Sequence, residues 1–206
     1  MMWNQSTIGM LHRLFLSLGV VVLMFNLQTP IVLAQTNPSE LSRAVQEIEL
    51  LDTMRSELAS TLEGKTEEPT MQTMKEVCYP VGMRVMQLSQ ENGWQVKQIA
   101  SKYRNPAHAP DDLHAKLALA KFQQDQDLVG FWERETINNQ PGTRYYRRIN
   151  VEQSCLVCHG LKDGRPQFVK EKYLQDLAYN FRVGDLRGMY SAFIPDLKAT
   201  SQSTQK

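Results

Sequence analysis

Residues 129–151 read VGFWERETINNQPGTRYYRRINV, and this stretch decides the fold class. Apolar and polar side chains alternate through residues 129–137 and again through residues 144–151, which is the period-two pattern of β-strands. The segment between them, residues 138–143, is rich in the turn-forming residues Asn, Pro and Gly. The stretch therefore predicts an antiparallel hairpin.

Helical periodicity precedes this hairpin. Asn37 has the position of a helix N-cap, and apolar residues then recur at helical spacing as far as Gly64, which predicts a long amphipathic helix. A second helix is predicted after Thr70. Pro80 lies inside it and removes one backbone hydrogen bond, so we expect a kink just after Cys78.

Two further strands complete the predicted sheet. One lies before the hairpin, over residues 95–103, and one after it, over residues 188–194. Helices come first and antiparallel strands later, and this order is typical of an α+β protein. We predict an antiparallel sheet with flanking helices and a long N-terminal helical segment.

The N-terminus has the pattern of a secretory signal peptide. His12 and Arg13 precede an apolar run over residues 14–27, which is shorter than the roughly 20 apolar residues that a spanning helix needs. Small residues then lead to an expected cleavage after Ala34, with export to the periplasm or the thylakoid lumen. The predicted segments are a signal peptide over 1–34, a helix and its connection over 35–69, one domain over 70–197 and a disordered tail over 198–206.

The composition excludes several classes of partner. The chain has 206 residues, with 23 Lys and Arg against 22 Asp and Glu, and a formal net charge of +1 at pH 7. This balance predicts neither nucleic-acid binding nor a polybasic membrane contact. After signal cleavage we also expect no stable membrane span, because no other apolar run is long enough.

The strongest functional signal is the segment Cys155-Leu156-Val157-Cys158-His159. Two intervening residues place both thiols on one turn of backbone, where they can reach the two vinyl groups of a porphyrin, and the next residue can offer an imidazole to the iron. The C-x-x-C-H spacing is the signature of c-type haem attachment. We therefore predict one haem c, bound covalently through Cys155 and Cys158, with His159 as an axial iron ligand.

Three other interpretations of these cysteines compete with haem. A thioredoxin-type dithiol would need a βαβ context, whereas a hairpin precedes the motif. A zinc site made of Cys78, Cys155, Cys158 and His159 has the correct number of ligands, but adjacent side chains rarely converge on one tetrahedral ion. A structural disulfide would leave His159 without a role.

The spacing does not decide the second axial ligand of the iron. Met and His are the ordinary candidates, and they are present at Met71, Met74, Met83, Met86, Met189, His108 and His114. Cys78 is an unusual candidate, because it lies on the apolar stripe of the second helix. A free cysteine in that position is more often a small buried hydrophobe, so the residues alone leave this ligand open.

From Met71 to Asp196 the chain resembles the Tll0287-like (DUF3365) haem domain of exported cyanobacterial and proteobacterial proteins. Four segments carry the resemblance, and they occur in the same order: Cys78-Tyr79-Pro80, the turn Arg104–Asp111, the motif Cys155–Gly160 and Val183–Gly188. His108 stands where the turn usually has Asn, and Leu174 stands where a Pro is common.

The resemblance implies a fold and a ligand set. The family is similar to PAS domains, with an antiparallel sheet, flanking helices and an added N-terminal helical segment. It binds c-type haem with axial His and Cys, which implies His159 and Cys78 as the two axial ligands here. A thiolate ligand stabilises ferric iron and lowers its reduction potential.

Three functions are consistent with such a site. A redox or gas sensor would exchange its ligand, accept a diatomic gas and pass a signal to a separate protein. A small low-potential electron-transfer cytochrome would keep both ligands and exchange electrons with a redox partner. An enzyme is the least supported, because no acid–base or nucleophile pattern stands out, and we expect no catalytic activity.

Two polar stretches have ordinary explanations. Residues 145–148, Tyr-Tyr-Arg-Arg, have the composition of a half-exposed strand. Lys162, Arg165 and Lys170 are expected to lie in a solvated loop. Neither stretch is predicted to contribute to the site.

Overall fold

The computed structural model describes residues 36–197. Its helices are α1 (Pro38–Ser60), α2 (Met71–Val77), α3 (Tyr79–Asn92), α4 (Leu113–Gln124), α5 (Leu156–His159) and α6 (Gln167–Lys172). Its strands are β1 (Gln95–Ile99), β2 (Gly130–Ile137), β3 (Gln140–Asn150) and β4 (Leu186–Pro195). The signal peptide predicted over 1–34 and the tail predicted over 198–206 lie outside the described residues.

The four strands form one sheet in the order β1-β4-β3-β2, with every neighbouring pair antiparallel. Helices α1 and α3 bury one face of this sheet, where Ile48 and Leu88 pack with Tyr190. Helix α4 buries the other face, where Phe122 packs with Tyr146. The predicted α+β class, an antiparallel sheet with flanking helices and a long N-terminal helix, is confirmed.

The hairpin between β2 and β3 is tighter than the sequence indicated. Asn138 and Asn139 both have positive φ angles, 50° and 64°, which is the backbone of a type I′ turn and suits asparagine. Two residues therefore reverse the chain, and β3 begins at Gln140 rather than after residue 143. The pairing of Ile137 with Gln140 closes the hairpin.

The predicted kink beside Pro80 lies at the boundary between two helices. Helix α2 begins at the N-cap Thr70 and ends at Val77, and α3 begins at Tyr79. Cys78 is the residue between them. Proline has no N–H, so one bond of the helical ladder is missing here. Cys78 itself keeps a helical backbone, and its N–H donates to the Met74 carbonyl at 2.9 Å.

Two sequence-based expectations about the sheet are wrong. Strand β1 ends at Ile99 instead of residue 103, because Ala100 N–H turns away and donates to the His108 carbonyl at 2.9 Å. Residues 145–148 do not form a half-exposed strand, since Tyr145 and Tyr146 are buried on opposite faces of the sheet. Helices cover both faces of the sheet, so neither set of alternating side chains in this strand faces solvent.

Over residues 36–197, no helix combines the length and the apolar character needed to cross a membrane.

Candidate functional site

The cysteine–histidine motif follows β3 directly. A short 3₁₀ turn, Gln153–Cys155, runs into α5, so that Cys155, Cys158 and His159 lie on consecutive turns of one helical segment. The motif therefore lies on a short helix that follows Ser154. Its position at the end of a central strand gives the motif a rigid support.

Helix α1 holds the start of this segment. Glu152 accepts hydrogen bonds from Arg55 at 2.6 Å and from Ser56 at 2.7 Å. Val157 packs against an apolar cluster that includes Ala59 and Val77. The long N-terminal helix and α2 therefore contact the motif from the same side.

The ring of His159 is held by a backbone acceptor. Its Nδ1 lies 2.8 Å from the carbonyl oxygen of Ala178 and 3.3 Å from a guanidinium nitrogen of Arg104. The carbonyl can only accept and makes the shorter contact, so we assign the proton to Nδ1. Nε2 then has a free lone pair. The Phe181 ring stands edge-on to the imidazole, with 6.1 Å between the centroids, and Phe181 N–H donates to the His159 carbonyl at 3.2 Å.

His159 is neutral in this environment. Burial lowers the pKa of its imidazole well below the ordinary value, and the charges of Arg187, Arg104 and Lys102 lower the pKa further. A neutral imidazole with one nitrogen protonated and the other free is the form that binds a metal.

Cys78 lies within electrostatic reach of the motif, although the two segments are far apart in sequence. All three cysteines are free thiols. Burial raises the pKa of Cys158 to about 11, and the neighbouring Cys78 and Cys155 raise it as well. Burial likewise raises the pKa of Cys78, against the opposing charges of Arg104 and Arg187.

Cys78 also retains an exposed surface. The Cys78 side chain is exposed, but the surrounding protein is still close enough to raise the pKa of its thiol. Both properties are expected of a residue that lines a cleft. This thiol therefore faces open space beside the motif instead of the hydrophobic core, where a small structural cysteine would lie.

The zinc and disulfide interpretations do not agree with this geometry. Among the described residues, no group of three His, Cys, Asp or Glu side chains converges as metal ligands. The thiols of Cys155 and Cys158 are not bonded to each other. Two ligands on opposite faces of a flat group leave a gap between them, so this result does not bear against haem.

The structure separates the methionine and histidine candidates from the motif. Met189 is fully buried in the sheet, and Met83 and Met86 are exposed on α3. His114 lies against Glu133 of β2, with 3.7 Å between Nδ1 and Oε2. None of these four side chains contributes to the cluster around His159.

The remaining candidates have other contacts. The Sδ atom of Met74 accepts a hydrogen bond from the Tyr173 hydroxyl at 3.3 Å, and that of Met71 lies 3.8 Å from the Lys172 ammonium. His108 is exposed on a 3₁₀ turn. Burial and the charge of Arg187 also lower the pKa of His108, so this histidine lies near the site as well. Among the candidates, Cys78 is the one whose charge acts on the pKa of Cys158.

Sequence reasoning missed the basic residues around the site. Arg104 donates to the Cys158 carbonyl at 2.6 Å, and its Nε lies 3.5 Å from the buried carboxylate of Asp176. Arg165 pairs with the same carboxylate at 2.8 Å, so the expectation that it lies in a solvated loop is wrong. Arg104 and Arg187 both occur in segments that carry the family resemblance, which is the signal that could have identified them.

The fold and the site together define a class of protein: an α+β domain whose helical side carries three free cysteines and a neutral histidine. The model of the Tll0287-like family matches residues 34–195, so the chain belongs to this family, and the resemblance read from the sequence is confirmed. The chain is similar to the crystal structure of the cyanobacterial heme-protein Tll0287, with 51% sequence identity and a TM-score of 0.71; the match covers 80% of this chain and 99% of that chain. A comparison with curated proteins gave no match.

Proposed function

We propose that the chain is an exported protein that binds one haem covalently through Cys155 and Cys158, with His159 and Cys78 as axial ligands, and acts as a redox or gas sensor. The main support is the convergence of Cys78 with a C-x-x-C-H motif whose histidine has its Nε2 free. Membership of a family that includes a heme-protein is in agreement with it.

The residues present fit a haem. The two motif thiols are free to form thioether bonds, and the neutral imidazole of His159 offers Nε2 to the iron. Cys78 offers a soft sulfur ligand from a different helix pair. The surrounding arginines supply positive charge that suits a thiolate and the carboxylates of a porphyrin.

When bound, haem supplies a one-electron couple between ferric and ferrous iron. The protein's contribution is to control the proton on Cys78 Sγ. Burial raises the pKa of this thiol, so Sγ keeps its proton unless a nearby positive charge stabilises the thiolate. Arg104 and Arg187 provide part of that charge, and an electron added nearby weakens it.

The position of Cys78 means that a change in the protonation of Sγ can affect the backbone of the two helices. Cys78 is the junction between α2 and α3, and Pro80 beside it removes one helical hydrogen bond. A change at Sγ therefore acts on the two helices at their most adaptable point. A sensor needs such an element, because a ligand can transmit a signal only by favouring one of two conformations.

The alternative is a small low-potential electron-transfer cytochrome. It would use the same haem and the same ligands, but Cys78 would stay bound in both oxidation states. We propose no catalytic activity in either case. The partner is a separate redox or signalling protein, and a diatomic gas is the proposed small ligand of the sensor.

The first experiment tests the haem and its ligands. The protein is expressed with its leader in a host that matures c-type cytochromes, and its mass should show one added haem and cleavage after Ala34. Cys78→Ser should change the ferric absorption and EPR spectra. Met74→Leu, which removes a sulfur from the same helix pair, is the matched control and should leave both spectra unchanged. Unchanged spectra in Cys78→Ser would exclude thiolate ligation.

The second experiment separates the sensor from the carrier. The ferrous protein is examined by absorption spectroscopy before and after addition of CO. Loss of the sulfur ligand on reduction, followed by rapid CO binding, supports the sensor. A six-coordinate ferrous spectrum that CO leaves unaltered supports the electron carrier.

A further inference from the structure

We infer that Arg187, together with Lys102, forms a carboxylate-binding site beside His159. The inference rests on the proposed function, under which the carboxylate is a propionate of the bound haem. Neither residue belongs to the ligand set described above, and neither was predicted from the sequence.

Arg187 lies directly beside the histidine. It is at the start of β4, and its guanidinium donates to the Lys102 carbonyl at 3.1 Å. The guanidinium carbon lies 5.6 Å from the centroid of the Phe181 ring, and that ring stands edge-on to His159. An ionised Cys78 or Cys155 would raise the pKa of Arg187, so Arg187 also lies near the thiols.

Lys102, like Arg187, lies close to the Phe181 ring. Its ammonium lies 4.0 Å from the centroid of that ring and donates to the Tyr179 carbonyl. Burial lowers the pKa of Lys102, and the charge of Arg187 lowers it further. Two cations that repel each other are thus held in contact with one aromatic ring.

These two cations have no acidic partner at ion-pair distance, although Asp185 raises the pKa of Lys102 and Asp176 raises that of Arg187 from farther away. Within residues 36–197, no Asp or Glu oxygen lies within the 4.0 Å of an ion pair with either side chain. The buried carboxylate nearby, Asp176, is already shared by Arg104 and Arg165. Burial and the neighbouring Arg104 lower the pKa of Arg187 to about 10, so its charge is poorly compensated.

A carboxylate is the ligand that this arrangement suits. A desolvated charge without a partner is costly, and a hydrogen-bonded counter-ion removes most of that cost. The planar guanidinium donates two parallel hydrogen bonds to a carboxylate, and an adjacent ammonium adds a third. Haem carries two propionates, which are its anionic groups.

The site has a consequence for the redox couple. A positive charge beside His159 disfavours ferric iron and therefore raises the reduction potential, in opposition to the Cys78 thiolate. The same charge keeps a propionate ionised at neutral pH. Removing Arg187 should therefore lower the potential and raise the pKa of the propionate.

The experiment measures the reduction potential of the purified haem protein by spectroelectrochemistry. Arg187→Gln should shift the reduction equilibrium toward ferric by at least about tenfold, which is about 59 mV for one electron. The matched control is Arg182→Gln, which removes an exposed charge from the same loop and should shift it by less than about threefold, because exposed charges are screened. Arg187→Lys keeps the charge and should restore most of the potential.

The pH profile provides a second measurement. In Arg187→Gln the potential should depend on pH more steeply between about pH 5 and about pH 7, since burial raises the pKa of a propionate that has lost its partner above the value of about 4 of a free carboxylate. Lys102→Gln should act in the same direction and gives an independent test if Arg187→Gln does not fold.

Each outcome decides one claim. If the protein holds haem and Arg187→Gln has the potential and pH profile of the parent, the carboxylate site is refuted while the haem proposal stands. The same holds if Arg182→Gln has an equal effect, because the influence would then be general charge. If the matured protein contains no haem, the proposed function fails and the propionate site fails with it.

Discussion

Replacing Asp176 with asparagine tests how the loop behind His159 is held. The Asp176 side chain is completely buried, with a side-chain exposure of 0%. One carboxylate oxygen accepts from Arg165 at 2.8 Å. The other accepts from Ala178 N–H at 2.9 Å and lies 3.5 Å from Arg104 Nε. This carboxylate therefore fixes the residue whose carbonyl binds the imidazole.

The expected cost follows from these contacts. Asparagine keeps the shape, and its amide oxygen can still accept from Ala178, so the main loss is the negative charge between two arginines. Removing one partner of a buried ion pair costs about 3–5 kcal/mol. Arg104 and Arg165 retain 11% and 12% side-chain exposure and can recover some hydration, so we expect Asp176→Asn to cost about 3 kcal/mol. For a domain of this size that lowers Tm by about 6–12 °C.

The assay is denaturant unfolding followed by far-UV circular dichroism, with the slope m compared between variants. Asp163→Asn is the matched control, because Asp163 is exposed in the same region, and its effect should stay within about 0.5 kcal/mol. A change in Asp176→Asn below about 1 kcal/mol at unchanged m would refute the view that this carboxylate holds the loop.

Three further predictions concern the rest of the fold. Glu152→Ala removes two hydrogen bonds from α1 and should cost about 2 kcal/mol in the free energy of unfolding, whereas Glu152→Gln should retain part of it. Gly188→Ala would place a Cβ 2.5 Å from the Ile99 carbonyl oxygen, so we expect a loss of about 1–3 kcal/mol from overpacking; an unchanged melting temperature would contradict that close approach. Hydrogen bonds from Arg134 hold the pKa of Asp196 below its ordinary value, so the ionised form contributes stability above that value and the contribution disappears as the pH falls through the lowered pKa. Asp196→Asn should therefore reduce the loss of stability between about pH 5 and about pH 2, and an equal acid sensitivity in both proteins would count against this pair.

The local features of the fold could be predicted from the sequence. Alternation identified the two strands of the hairpin, and Pro80 identified the kink beside Cys78, where the structure has a boundary between two helices. The turn was predicted too long, because the tolerance of Asn138 and Asn139 for positive φ is a backbone property that composition does not reveal. The end of β1 was missed for a similar reason, since it depends on a hydrogen bond to the distant His108 carbonyl.

The sequence by itself determined the chemistry that the site can perform, because the C-x-x-C-H spacing is local and brings its three side chains onto one helical segment. Only the tertiary structure decided which other side chains join them. Cys78, Arg104 and Arg187 lie on separate elements, and the packing of α1, α2 and β4 brings them to the motif. The spacing of residues along the chain determines which side chains are neighbours within one turn of helix. Contacts between residues far apart in sequence depend on how helices and strands pack against each other, and the spacing does not specify that packing.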